Sequence, residues 1–177
     1  MRIAIYHNLP SGGGKRSLLE MVKRLAGRHE IDVYTLSSAE HNFCDLRPLA
    51  AKHRVWPFKP ARLLRSPFGR LNQLIYLWDM LRLDRLDQRI GREIDTSGYD
   101  VAFIHHCRYR QSPAILRFLQ TPSVYYCQEP PRWIYDPPAQ RPYLVSPWER
   151  PWHMRIDPLP KLYRKALQDR DAQNVRL

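Results

Sequence analysis

Apolar and polar residues near the N-terminus change from the spacing of a strand to that of a helix. The run Arg2–Tyr6 is mostly apolar and partly β-branched, and a break rich in Pro, Ser and Gly follows it at residues 10–14. Apolar residues then recur at Leu18, Val22 and Leu25, which is the spacing of one helix face. This order predicts a strand, a tight loop and an amphipathic helix, which is how a doubly wound α/β domain begins.

The same alternation of strand and helix patterns continues through the chain. The pattern predicts further strands at residues 31–36, 54–58, 99–106 and 123–127, and helices at residues 62–94, 114–119 and 159–177. Pro57 lacks a backbone N–H, so the run that contains it fits only the edge of a sheet or the end of a strand. The helix at 114–119 is expected to have Ser112 as its N-cap and Pro113 as its first residue. The length fits one domain, for which we predict a parallel, doubly wound sheet.

Three glycines, Gly12–Gly14, stand where the first strand gives way to the first helix. Loop glycines at such a place let backbone N–H groups approach an anion at the helix N-terminus, so this loop is the first candidate site. It is not a Walker A loop, because Leu9 stands where that motif has its first glycine and Arg16 where it has Ser or Thr. It is not a dinucleotide fingerprint either, because Ser17 replaces the third glycine. A flexible turn without a ligand is the alternative.

A proline-rich segment follows the last predicted strand. Residues 129–160 contain nine of the chain's 16 prolines, and five aromatic residues stand between them: Trp133, Tyr135, Tyr143, Trp148 and Trp152. So many prolines exclude regular secondary structure, and the aromatic residues favour an ordered surface loop over a flexible linker. We expect this loop to lie beside the ligand-binding edge of the sheet.

The composition indicates which classes of partner and which cellular compartment to expect. Lys and Arg number 29 against 17 Asp and Glu, and the formal net charge of +12 favours a polyanionic partner such as nucleic acid, anionic lipid or a phosphorylated substrate. Three cysteines without C-x-x-C spacing, Cys44, Cys107 and Cys127, predict buried free thiols in a reducing cytosol. The first apolar run is too short for a signal peptide, and no run reaches the length of a membrane span. We expect a cytoplasmic protein, with peripheral attachment at the inner membrane face as a further expectation.

The segment Lys59–Arg92 is both basic and amphipathic. It contains eight Lys or Arg and three Asp, together with apolar residues at helical spacing. Such a helix can lie on an anionic membrane, with arginines such as Arg62, Arg65 and Arg70 on the headgroups and its Trp and Leu face inserted. The alternative is a crossover helix that packs on the sheet and exposes a basic face to solvent.

Four pieces of the chain together resemble the N-terminal half of a retaining GT-B glycosyltransferase of group 1. They are residues 1–5 with 12–20, residues 99–101 with 105–106, residues 124–132, and the closing helix at 159–177. The resemblance spans nearly the whole chain and implies one Rossmann-like half of a GT-B fold, the N-terminal, acceptor-side domain. The family's donor-side signature, two glutamates with seven residues between them, has no match in the sequence. A donor-binding domain is therefore expected outside these 177 residues.

The resemblance also implies roles for individual residues. The glycine loop would close over the donor diphosphate and the acceptor, and Lys15 and Arg16 would stabilise charge on the departing phosphate. Many members of the family have a histidine beside the transferred sugar where this chain has Gln128, which can hydrogen-bond a sugar hydroxyl but cannot be protonated. We assign catalytic positions to Gln128 and His106, and binding of donor or acceptor to Gly12, Gly13, Gly14, Lys15, Arg16, His105, Glu129 and Arg132. Because neighbours on a strand point to opposite faces, only one of the two histidines is expected to reach the ligand cleft.

The implied function is sugar transfer, with retention, from a nucleotide-sugar to a lipid-linked or polysaccharide acceptor. No metal and no cofactor is expected, since the nucleotide-sugar is a co-substrate, and these residues alone are expected to be inactive. Two alternatives stay open: a non-catalytic basic module for nucleic acid or a phosphorylated ligand, and a degenerate glycosyltransferase-like protein. Nucleic acid is the weaker expectation, because the aromatic residues cluster in the proline-rich segment instead of lining a basic groove.

Overall fold

The structure is a computed structural model that describes residues 1–66, 68–128, 135 and 158–175. Within these residues, one parallel sheet has the strand order β3-β2-β1-β4-β5. Its strands are β1 (Arg2–Asn8), β2 (Glu30–Leu36), β3 (Lys52–Trp56), β4 (Val101–Cys107) and β5 (Ser123–Tyr126). The helices are α1 (Gly13–Ala26), α2 (Asn72–Thr96) and α3 (Leu159–Val175). This confirms the predicted α/β class with a Rossmann-like, doubly wound parallel sheet.

The sheet is covered on both faces, and the alternation of side chains along β1 decides which residue meets which layer. Ile3 and Ile5 pack with the α1 residues Leu18 and Val22. Tyr6, on the opposite face, packs with α2 residues such as Leu83 and Ile90 and with the turn at Ala114–Arg117. A strand that is apolar on both faces is typical of the buried parallel sheets of α/β proteins.

Several predicted elements have different bounds in the structure. β3 is the edge strand, as the proline predicted, and it ends at Trp56 because Pro57 cannot donate to the ladder. The predicted helix at 62–94 begins only at Asn72, after a 3-10 turn at Phe68–Leu71, and ends at Thr96. The predicted helix at 114–119 is a single 3-10 turn at Ala114–Arg117.

The N-cap predicted for that turn is wrong. Pro113, in extended conformation, is the cap residue, and the hydroxyl of Ser112 donates instead to Asp171 of α3. The prediction for the thiols holds only in part, since Cys107 is buried, Cys44 is half-buried and Cys127 is exposed.

A buried network of charges joins α2, α3 and the turn after β4. The guanidinium of Arg110 binds the carboxylates of Asp84 and Asp87, and the hydroxyl of Tyr6 donates to Asp87 at 2.6 Å. Arg170 of α3 binds Asp84 as well. Burial raises the pKa of the Asp87 carboxyl, while Arg110 and the Tyr6 hydroxyl act in the opposite direction. The network fixes α3 against the body of the domain.

Some predictions fall outside the described residues. They are the roles of Glu129 and Arg132 and, apart from Tyr135, the proline-rich segment as far as residue 157. In the described ranges, no helix combines the length and the apolar character that crossing a membrane requires.

Candidate functional site

The site begins at the N-terminus of α1, directly beyond the carboxyl end of the central strand β1. Gly12 is the N-cap, with a φ of 150° that favours glycine, and no side chain caps the helix. The first N–H groups of a helix have no intrahelical partner and carry the positive end of its dipole. This end of α1 therefore presents backbone donors at the edge where doubly wound sheets bind ligands.

Gln128 and His106 converge on the first turn of α1. A Cβ placed on Gly14 would lie 2.8 Å from Oε1 of Gln128 and 3.1 Å from Cε1 of His106. At Gly13 the same construction meets no atom within 4 Å. A side chain at position 14 would therefore displace Gln128 or His106, and the structure brings together the loop, the end of β4 and the end of β5.

A β-bulge changes the prediction for the two histidines. In the pairing of β1 with β4, Tyr6 is opposite Ile104 but Asn8 is opposite Cys107, so two residues of β4 face one of β1. The extra residue breaks the alternation of sides. His105 packs in the layer of α1, where its ring contacts Phe103, and His106 approaches Gly14 on the same helix. The two histidines therefore do not point to opposite faces, but only His106 reaches Gly14 while His105 is buried, which agrees with the expectation that one of the pair reaches the cleft.

His105 lies behind the site rather than in it. The side chain is fully buried between the rings of Phe103 and Tyr126, with centroids 5.1 and 5.2 Å away, and neither ring nitrogen has a hydrogen-bond partner among the described residues. Burial, helped by His106 and Lys15, lowers the pKa of His105 to about 4. Burial also lowers the pKa of His106. Both imidazoles are therefore neutral near pH 7.

Lys15 and Arg16 take opposite positions on the first turn. Lys15 is only 2% exposed, and its Nζ lies 3.2 Å from Nε2 of His7. Burial lowers the pKa of this ammonium to about 8, and burial and the Lys15 charge lower the pKa of His7 well below its usual range. Arg16 is exposed. Of the two cations predicted to meet a phosphate, Arg16 is the one on the accessible side of the helix.

His7 is a site residue that the sequence analysis missed. It is the penultimate residue of β1 and follows an apolar run, and a polar residue near the carboxyl end of a buried strand is the signal that could have identified it. Its ring accepts the backbone N–H of Leu9 at Nδ1, at 3.4 Å, and approaches Lys15 at Nε2. His7 therefore links the end of β1 to the first turn of α1.

The arrangement is suited to binding an anion and hydroxyl groups. It offers backbone donors, one exposed guanidinium, one amide and one neutral imidazole, which are the groups that hold a phosphate and orient a polyol. In the part of the chain that the structure describes, no cluster of three or more His, Cys, Asp or Glu residues is placed to hold a metal ion.

Comparisons with known proteins add little to this geometry. No family model matches the chain, and no curated protein matches it. Among solved structures, the chain is similar to the crystal structure of CalG4, the calicheamicin glycosyltransferase, with a TM-score of 0.39 and 19% identity. The match covers 69% of this chain and 31% of that one, so it spans less than a third of that glycosyltransferase. A likeness of this size carries no argument about function.

Proposed function

We propose that the chain is the acceptor-side, N-terminal domain of a retaining group-1 GT-B glycosyltransferase, which transfers a sugar from a nucleotide-sugar to a lipid-linked or polysaccharide acceptor. The observation that carries the proposal is the meeting of Gln128 and His106 at Gly14, on the first turn of α1. The resemblance implies that the glycine loop, the end of β4 and the end of β5 belong to one site. The distances at Gly14 are independent of the resemblance and support it.

In the proposed reaction the residues position groups rather than exchange protons. The N-terminus of α1 and Arg16 hold the diphosphate and stabilise the charge that develops on the leaving group. The Gln128 amide hydrogen-bonds a hydroxyl of the transferred sugar, and the neutral imidazole of His106 accepts a hydrogen bond from the acceptor. Holding the two substrates in reactive geometry supplies much of the rate in such a site.

A second domain would complete the binding site for the donor. We propose that a donor-binding domain supplies the remaining contacts to the nucleotide, so that the 177 residues alone transfer no sugar. The rival reading is a non-catalytic basic module, for which the same groups would bind a phosphorylated ligand and no transfer would occur in any form of the protein.

The test is a sugar-transfer assay with the complete gene product and nucleotide-sugars, with lipid extracts and polysaccharides as acceptors. Gln128→Ala and His106→Ala should each lower kcat by up to about tenfold, the effect expected from losing one hydrogen bond made in the transition state. His29→Ala is the matched control, because His29 is a partly buried histidine at the opposite end of the sheet, before β2. Transfer that is unaffected by the first two substitutions would contradict the site, and absence of transfer with every donor would favour the rival.

A second proposal, peripheral membrane attachment, rests on the N-terminal half of α2. Four apolar side chains are between 41% and 53% exposed here: Leu71 at the N-cap of the helix, and Leu74, Trp78 and Leu81 within it. Their spacing of three, four and three residues forms a continuous stripe. Arg62 and Arg65, both exposed, precede it in the chain, which is the combination that binds an anionic bilayer surface.

A further inference from the structure

A large cavity opens at the same edge of the sheet as the candidate site, but on the face that carries α2. Its volume is about 530 Å³. The walls are mostly apolar and come from four parts of the fold: Phe58 after β3, Tyr109 after β4, Tyr76, Met80 and Leu83 of α2, and Tyr163 of α3. Cavities of about 300–1,000 Å³ with apolar walls and a few polar groups are the usual form of small-molecule sites.

The charged groups that line the cavity differ in how many hydrogen bonds and ion pairs they already form within the protein. The carboxylate of Asp79 accepts hydrogen bonds from the backbone of Ala61 at 2.8 Å and from Arg82 at 2.7 Å. Its charge is therefore compensated inside the protein. The two cationic groups in the lining, Arg62 and Arg108, are exposed, so they stand at the accessible side of the cavity.

The arginines determine which kind of ligand fits. Arg108 uses one Nη1 donor for the carbonyl of Ser38, at 2.7 Å, and a guanidinium has five N–H donors in all. Arg62 reaches the cavity from the segment after β3, and no described residue forms an ion pair with its guanidinium. Guanidinium groups bind phosphate and carboxylate oxygens through pairs of charge-assisted hydrogen bonds. An apolar interior with cations at its accessible side suits an amphiphile that carries an anionic group.

We propose that this cavity binds the apolar chain of an amphiphilic ligand whose anionic group, a phosphate or a carboxylate, is held by Arg62 and Arg108. Neither the resemblance nor the comparisons assigns a ligand to these residues. The identification of this amphiphile as the sugar acceptor rests on the proposed function, whereas the binding itself rests only on the cavity. The backbone N–H of Arg108 donates to the carbonyl of Asn8 at 2.9 Å, next to His7, so the cavity and the candidate site share one junction.

The test is calorimetry of the 177-residue protein with n-octyl phosphate, n-octanoate, n-octanol and inorganic phosphate. We expect saturable binding of one octyl phosphate or octanoate per chain, and much weaker binding of octanol or inorganic phosphate, because each lacks one half of the recognition. The anion that binds more tightly identifies the headgroup. Binding that is no tighter for the octyl anions than for octanol or inorganic phosphate would overturn the proposal.

Two pairs of variants separate the cavity from general attraction to a basic surface. Arg62→Ala should weaken octyl phosphate binding about tenfold, and Arg28→Ala, which removes an equal charge from an exposed position that does not line the cavity, should leave it unchanged. Ala61→Trp should abolish binding by filling the cavity, and Leu63→Glu should weaken it by placing a carboxylate near the arginines. Equal losses from the two arginine variants, or full affinity in Ala61→Trp, would contradict the proposal. A full-length protein that binds octyl phosphate in the cavity but transfers no sugar would contradict the proposed function alone.

Discussion

Gly14 and the histidines around it are the residues on which the account of the site depends most. Gly14 leaves room for Gln128 and His106, the neutral ring of His7 lies against Lys15 on the first turn of the helix, and His105 is buried behind the site. The sequence identified the glycines, because they stand between an apolar strand and a helical pattern. It could not distinguish Gly13 from Gly14, since that difference lies in side chains from strands that are distant in sequence.

A methyl group at Gly14 should displace Gln128 from the helix N-terminus. In Gly14→Ala the new Cβ would stand 2.8 Å from Gln128 Oε1, so the flexible amide must move while the fold persists. Gly13→Ala is the matched control, because nothing lies within 4 Å and alanine favours the helix by about 0.5–1 kcal/mol. Side-chain amide NMR signals of Gln128 should shift in the first variant only. Equal shifts in both variants, or none in Gly14→Ala, would contradict the geometry.

Acid should destabilise the domain through its buried histidines. The folded state lowers the pKa of His105 from 6.5 to about 4, so between these values the unfolded chain binds the proton first and stability falls as the pH decreases. The loss from this one residue is about 3 kcal/mol at full titration and does not grow below pH 4. His7 and His106, whose pKa values are also lowered, add to it in the same direction.

Urea unfolding from pH 7 to pH 4 measures this effect. His105→Phe keeps an aromatic ring between Phe103 and Tyr126 but cannot be protonated, so its stability should depend less on pH than that of the parent. His29→Phe, at the opposite end of the sheet, serves as the control. The interpretation fails if His105→Phe and the parent lose stability equally over this range.

At the level of elements, the two halves of α2 have different surroundings. Its C-terminal half packs on the sheet through Leu83, Ile90 and Ile94, and its N-terminal half exposes an apolar stripe. The C-terminal half therefore fits the alternative of a crossover helix packed on the sheet, and the proposed membrane contact concerns only the other half. The apolar spacing predicted a helix here. It could not show which half packs on the sheet and which half exposes its apolar side chains, because that depends on the elements that surround the helix after folding.

The charge network that holds α3 should be sensitive to the loss of Arg110. Arg110→Met leaves the buried carboxylate of Asp87 without its cation, which should cost about 3–5 kcal/mol of unfolding free energy. Arg117→Met is the control: Arg117 also approaches Asp84, at 3.4 Å, but its side chain is 25% exposed, so the cost should stay below about 1 kcal/mol. Chemical denaturation measures both. Similar costs for the two variants would contradict the large cost expected from leaving the Asp87 carboxylate buried without its cation.

Membrane attachment by α2 should depend on both charge and apolar insertion. Flotation with liposomes should recover the protein only with anionic lipid, and less at high salt, because each Lys or Arg near such a surface contributes about 1 kcal/mol that salt screens. Replacing Arg62, Arg65 and Arg70 with Glu should release it, and so should Trp78→Ser, while Leu162→Ser, an exposed apolar residue of α3, should not. Binding that does not depend on lipid charge and salt would contradict membrane attachment by α2, and the helix would then be only a crossover helix.

For the whole molecule, the sequence predicted the sheet and the helices that cover it, but it did not predict the contacts between elements that are distant in sequence. Apolar runs that alternate with helical patterns were enough for the parallel sheet, its edge strand and the carboxyl-edge site. The bulge at His105 and His106 was not predictable, because it depends on which backbone groups of β1 and β4 pair. The cavity was not predictable either, since its walls come from β3, β4, α2 and α3 and are adjacent only after folding.

The proposed function depends most on whether the N-terminus of α1, with Gln128 and His106, binds the diphosphate of a nucleotide-sugar. The most direct measurement is an amide NMR titration of the 177-residue protein with UDP-, GDP- and ADP-sugars. We predict weak, millimolar binding to at least one of them, with the largest shifts at the amides of Gly13, Gly14 and Gln128, because a second domain holds most of the donor. Shifts centred elsewhere, no shifts with any donor, or micromolar affinity for the isolated chain would contradict the account.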